Sequence, residues 1–172
     1  MPSIEFSTLK SLKLTNVLSR KVPSEDLLNQ NKHIQMLTNW IMAKGYEAYG
    51  PLIFYSSGIK GVDGDGHPIV DSSLMVQLRQ SNVRLELPYA FSKEVRVRNC
   101  LYARFKDNAE KLQFATNKLT LYAYENDIEL TGETYIIIME QNEQTMFADV
   151  FMPIKAPLFE EPVVKPPQGE IS

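Results

Sequence analysis

The chain has 172 residues, 44% of them hydrophobic and 23% charged, with a net charge of −3. That size suits one globular domain or two small halves sharing a core, and the mixed charge lacks the concentrated basic surface that duplex DNA requires. Cys100 is the single cysteine and His33 and His67 are the two histidines, which excludes an internal disulfide framework and a cysteine-rich zinc site and leaves few ligands for any other metal.

Taken in chain order, Met1 to Phe6 has no basic stretch followed by an apolar run, so no signal peptide is read there. Leu12 to Leu18 alternates apolar and polar residues, the period of a half-buried strand. A helix follows Pro23, with Ser24 as its expected N-cap and Glu25 and Asp26 suiting the positive end of the dipole. Its apolar stripe is Leu27, Ile34, Leu37 and Ile41, Gly45 stops it, and His33 is expected off the stripe and solvated. Gly50-Pro51 then opens a strand that reaches Tyr55. Gly58 to Asp71 holds Gly58, Gly61, Gly64, Gly66 and Pro68 and is expected to be a mobile hairpin loop. Asp63-Gly64-Asp65-Gly66 resembles a calcium loop only in part, because the twelfth position is Leu74 rather than a bidentate glutamate. Leu74 to Leu78 forms a closing strand, and Val83 to Tyr89 reads as a short strand or extended bridge.

The order then begins again. Val95 to Leu101 alternates in the same phase as the first strand, with Arg96, Arg98 and Arg104 on a wet face. A helix starting near Asp107 or Asn108 buries Leu112, Ala115, Leu119 and Tyr122 and frays at Asn126-Asp127. Ile128-Glu129-Leu130-Thr131-Gly132 matches Tyr46-Glu47-Ala48-Tyr49-Gly50, and in that register Leu37 falls on Leu119, Thr38 on Thr120 and Trp40 on Tyr122. Val150 to Ile154 closes the second unit. Cys100 falls on Val17 and behaves as a small apolar strand residue rather than a nucleophile.

Strand, helix, strand, strand thus occurs twice, in an α+β domain of residues 1–155 with repeats at about 12–80 and 94–155. The two βαββ repeats are expected to form one curved antiparallel sheet about a pseudo-twofold, with both helices on one face and a groove along the seam of the other. The proline-rich segment 156–172 is expected to be a disordered tail. Exposed sheet edges offer a homodimer contact or a place for a partner's strand.

The duplicated unit, the Gly50-Pro51 entry to a strand ending in Tyr55, and the closing Asp149-Val150-Phe151-Met152-Pro153-Ile154 resemble the GyrI-like effector-binding domains over residues 12–155. The resemblance implies a ligand groove, and in that family a glutamate in the strand after the second helix, in a Gly-Pro-x-x-Glu-x-Tyr pattern, meets cationic ligands. Here that position is Ile136, the tyrosine position is Ile138 and the proline position is Glu133. A cation therefore loses its partner at Ile136, and Asp149 and Glu140 are the acids left near the seam, with Asp149 also readable as an exposed strand-edge residue. The short stretch before the first strand implies a freestanding module rather than a regulator with its own DNA-binding domain.

The reading that follows is a cytoplasmic, non-enzymatic binding module for a neutral or hydrophobic small molecule, with no cofactor, metal, nucleic acid or membrane. The candidate groove residues are Trp40, Tyr49, Tyr55, Tyr122, Tyr135, Asp149 and Phe151. The alternative is a protein-interaction adaptor or chaperone-like accessory, in keeping with a resemblance to small Gram-positive proteins linked to type VII secretion. A GyrI-like hydrolase is the third reading, against which Ile136 argues.

Overall fold

The computed structural model describes residues 3–26 and 30–155, so Leu27 and the segment 156–172 lie outside it. In chain order the elements are β1 (Ser3–Val22), α1 (Gln30–Ala43), β2 (Leu52–Val62), β3 (Pro68–Gln77), β4 (Tyr89–Asp107), α2 (Leu112–Glu125), β5 (Thr134–Gln141) and β6 (Met146–Pro153). The strands form one antiparallel sheet in the order β1-β3-β2-β5-β6-β4. The α+β class, the two βαββ repeats and the single antiparallel sheet are as the sequence predicts. The sheet also closes into a barrel, because β1 and β4 are long enough, at 20 and 19 residues, to pair with each other as well as with β3 and β6.

Closure corrects two expectations. The sheet face away from the helices is not a groove. It is a lumen packed with Leu12, Leu14, Val17, Ile53, Cys100, Tyr102, Tyr135, Ile137 and Phe151. A sheet closed on itself also presents no full-length edge strand for a homodimer or an added strand.

The pseudo-twofold can be read from the register. Phe54 pairs with Ile136 across β2 and β5, and Lys13 with Arg96 across β1 and β4, and each pair joins equivalent positions of the two repeats. Irregular details repeat too. Asn16 and Asn99 both adopt positive φ, 51° and 57°, and their carbonyls accept from Leu78 N and Ile154 N. Glu47 pairs with Arg79 as Glu129 does with Lys155. Both helices end in one turn type: Gly45 and Asp127 take the left-handed conformation, and Tyr46 N and Ile128 N bond back to Ile41 O and Ala123 O. The second helix is therefore closed at Asp127 rather than frayed.

Other local expectations shift. Ser24–Asp26 is a separate 3-10 turn, and the Ser24 hydroxyl donates to Val70 O instead of capping α1. Asn108 does cap, accepting from Glu110 N at the 3-10 turn Ala109–Lys111 that leads into α2. Gly58 to Asp71 is mostly strand, because register shifts after Ser56 and Ile59 take up the irregular residues. Only Asp63 to His67 turns, its Asp63 carboxylate accepting from Asp65 N and His67 N. Val83 to Pro88 has no regular structure, and β4 begins at Tyr89.

The helices lie on the outer face in unlike ways. Under α2, Ala103 of β4 and Ala115 of the helix share a fully buried cluster with Leu101, Phe105, Leu119 and Val150. The equivalent positions under α1 are Arg20 and His33, both buried. His33 is thus not solvated, since a spacing of four puts it in line with buried Leu37 and Ile41. Arg20 Nε donates to His33 Nδ1 (3.1 Å) and Nη1 to the Tyr89 hydroxyl (3.0 Å), while His33 Nε2 meets Asp26 Oδ2 at 2.8 Å. Since Nδ1 accepts, the imidazole proton sits on Nε2 and faces Asp26, and this bond holds the Asp26 carboxyl below its ordinary range. Neither helix is long and apolar enough to cross a membrane.

Candidate functional site

The helix-bearing face has a cleft at the pseudo-twofold, with β2 and β5 running beneath it. Side chains alternate along each strand, so a row of outward residues is set by the register. One row is Leu74, Phe54 and Ile136, joined by cross-strand pairs and forming the apolar floor. The next row, displaced by two residues, is Ser72, Ser56 and Thr134. Ile34 of α1, Leu112 of α2 and Met146 of β6 wall the cleft, and Gln30, Asn31 and Gln141 lie at its rim. Its volume is about 440 Å³, and among the described residues no charged side chain lines it. A second crevice, of about 410 Å³, lies between α1 and the sheet beside Leu37, Ile41, Leu52 and Val76, and shares Ile34 with the first.

Ser72 is only 8% exposed, and its hydroxyl has no hydrogen-bond partner among the described residues. A buried hydroxyl left unmet costs roughly 1–3 kcal/mol. Ser56 Oγ accepts from Gly58 N at 3.2 Å. The position equivalent to Ser72 in the second repeat is the fully buried Ala148, so the architecture itself does not require a hydroxyl there.

The seven candidate residues separate into three places. Tyr135, Asp149 and Phe151 belong to the lumen; Tyr55 packs beside that cluster and also borders the cleft. Trp40 and Tyr122, equivalent on the two helices, are packing residues: Trp40 stacks on Tyr89 at 4.3 Å and Tyr122 meets Phe6 at 4.5 Å. Tyr49 is exposed, with the Arg79 guanidinium over its ring. The cleft residues Ile34, Phe54, Leu74, Ser72 and Leu112 were absent from the candidates, although strand alternation places Phe54 and Ile136 on one face and Tyr55 and Tyr135 on the other.

The lumen acids are engaged. Asp149 is buried rather than exposed at an edge, and it accepts from the Tyr102 hydroxyl at 2.8 Å and from Arg104 Nε and Nη2 at 2.8 and 3.0 Å. Glu133 accepts from the Tyr55 hydroxyl at 2.6 Å. Burial, followed by these carboxylates, raises the phenols: Tyr55 well above its ordinary value, and Tyr102 and Tyr135 to about 12. Burial likewise pushes the Cys100 thiol up to about 11, so at neutral pH it is an un-ionised core group. Asp63, Asp65 and His67 at the β2–β3 turn bring ligand atoms within 4.8 Å of one another, but all three are exposed and the Asp63 carboxylate already holds its own turn.

No protein-family model matches the chain, and no curated protein matches it. Among solved structures, it superposes on the EcmrR C-terminal domain with a TM-score of 0.64 at 12% identity, covering 90% of this chain and 98% of that one. It also superposes on EcmrR in a DNA complex within EcmrR-RPo, with a TM-score of 0.67 at 14% identity and 88% of this chain covered. The chain spans 57% of the length of that EcmrR chain. SAV2435 bound to tetraphenylphosphonium gives a TM-score of 0.46 at 12% identity, covering 89% of this chain and 94% of that one. At these identities the likeness to EcmrR is one of fold: this chain has the architecture of the EcmrR C-terminal domain.

Proposed function

We propose that the protein is a non-enzymatic, GyrI-like binding module whose cleft between the two helices takes a neutral, largely apolar small molecule. The observation that carries this reading is the roughly 440 Å³ cleft on the pseudo-twofold, with an uncharged lining and Phe54 and Ile136 on its floor. Its size and its mix of apolar walls with a few polar groups are those of small-molecule sites. The glutamate that the GyrI-like resemblance implies would stand at Ile136, so a cation entering here would leave water without meeting a counter-charge. The lumen acids do not line the cleft, and both are held by tyrosine hydroxyls. Among the described residues, no serine or threonine hydroxyl of the lining is hydrogen-bonded to a histidine or a carboxylate, which supports binding over hydrolysis.

A thermal-shift screen of neutral and cationic hydrophobic compounds tests the reading. Neutral compounds should raise Tm by mass action, and Ile136→Trp, which fills the floor, should abolish the shift. A flat response to every neutral compound, or one unaffected by Ile136→Trp, refutes it.

A further inference from the structure

We propose that the cleft selects neutral ligands bearing a hydrogen-bonding oxygen beside their apolar body, and that Ser72 and Thr134 are the groups that read this oxygen. The inference rests on the cleft reading above and adds the ligand's chemistry.

The floor is two-fold in backbone but not in side chains. On one side of the Leu74–Phe54–Ile136 row lie Ser72, Ser56 and Thr134 on three adjacent strands. The symmetry-related row on the other side is Leu52, Ile138 and Ala148, all apolar. One βαββ plan therefore carries hydroxyls on one flank and hydrocarbon on the other. Ser72 has no hydrogen-bond partner among the described residues although it is 8% exposed, and it lines the cleft. Thr134 also lines the cleft, and no described residue hydrogen-bonds its hydroxyl. Ser56 Oγ accepts from Gly58 N, which leaves its own hydrogen to donate.

The two rows are two residues apart, about 7 Å along the strand. A ligand of modest size lying along β2 thus meets Phe54 and Ile136 with its body and the hydroxyl row with its end. A ketone, ester or hydroxyl oxygen accepts from these side chains and removes the burial penalty of Ser72. An ammonium or a carboxylate would find no opposite charge in the lining.

The test is fluorescence titration with two neutral naphthalenes, 6-propionyl-2-(dimethylamino)naphthalene and 2-(dimethylamino)naphthalene, which differ by the acyl group. The acyl probe should bind about ten-fold more tightly, the contribution of one hydrogen bond made away from water. Ser72→Ala and the isosteric Thr134→Val should each reduce this preference. Equal affinity of the two probes for the wild-type protein, or a full preference surviving in both variants, overturns the proposal. Ile136→Trp should abolish binding of both probes. If both bind that variant as they bind wild type, or neither binds wild type, the cleft reading itself falls and the oxygen selectivity falls with it.

Discussion

The buried Arg20–His33 contact gives the sharpest energetic prediction, because the second repeat contains its control. Arg20 and His33 occupy the places taken by Ala103 and Ala115 beneath α2. His33→Ala removes the acceptor of Arg20 Nε and leaves a buried charged donor unmet, worth about 1.5–3 kcal/mol. The lost ring adds about 1–2 kcal/mol of packing, for a total near 3–4 kcal/mol. Arg20→Ala removes the charge itself, leaves the His33 Nδ1 acceptor unmet and takes a donor from the Tyr89 hydroxyl and Met36 Sδ, and should cost about 2–3 kcal/mol. Independent effects would sum to about 6 kcal/mol. The double variant, however, recreates the Ala–Ala contact over which α2 packs, and Tyr89 keeps its second bond, to Met36 O. With α1 free to settle as α2 does, the double variant should cost only about 2–3 kcal/mol, a coupling of about 3 kcal/mol between the two sites. Urea denaturation of wild type, both single variants and the double variant at neutral pH measures each term. A double variant at the sum of the singles refutes the view that this pair props α1 away from the sheet.

The same cluster predicts a pH effect. His33 and, to a lesser extent, Lys32 hold the Asp26 carboxyl below its ordinary value, so its contribution to stability is present above the unfolded carboxyl pKa of about 4 and is lost as pH falls through the folded value. The stability gap between wild type and His33→Ala should therefore narrow as urea midpoints are followed into acid, and a gap that widens contradicts the assigned bond. Tyr102→Phe removes one of three donors to Asp149 while Arg104 keeps two, so it should cost about 1 kcal/mol in the same assay. Gly58→Ala should cost more, about 2–3 kcal/mol, because Gly58 sits at φ +74° and a Cβ there would lie 2.6 Å from Gly132 O.

The repeat was legible in the sequence because it is carried by residues with few substitutes. Gly50 and Gly132 both sit at positive φ, and matching apolar positions such as Leu37 and Leu119 are both buried. Closure of the barrel was not legible, since β1 and β4 run from Ser3 to Val22 and from Tyr89 to Asp107, well past the alternating stretches Leu12 to Leu18 and Val95 to Leu101, and pair with each other along that length. The site was only half legible, for a reason of parity. Selecting by aromatic character drew Tyr55 and Tyr135, which are cross-strand partners facing the lumen, whereas the cleft is floored by their neighbours Phe54 and Ile136. Ser72 carries no compositional signal, and only its register opposite Ser56 and its equivalence to Ala148 mark it. His33 was readable, since it stands four residues before Leu37 and eight before Ile41, but a polar side chain on that face counts as core only when Arg20 and Asp26 are known to meet it.

The differences between the repeats fall into a pattern. At three places where the second repeat uses a small apolar residue between helix and sheet, Ala103, Ala115 and Ala148, the first has a polar one, Arg20, His33 and Ser72, whereas at a fourth, Ala123, it has Ile41. Arg20 and His33 satisfy each other beneath α1, along which lie the two crevices that share Ile34. Ser72, at the border of one of them, has no hydrogen-bond partner among the described residues. A fold serving only as a scaffold would gain from resolving all three positions as the second repeat does, since each substitution there removes a buried polar group without exposing apolar surface. Retaining them costs stability in one repeat alone. Ser72 and Ser56 of the first repeat and Thr134 of the second together make the polar flank of the proposed cleft, so Ser72→Ala should alter which molecules the protein accepts, whereas a change at the equivalent Ala148 should not.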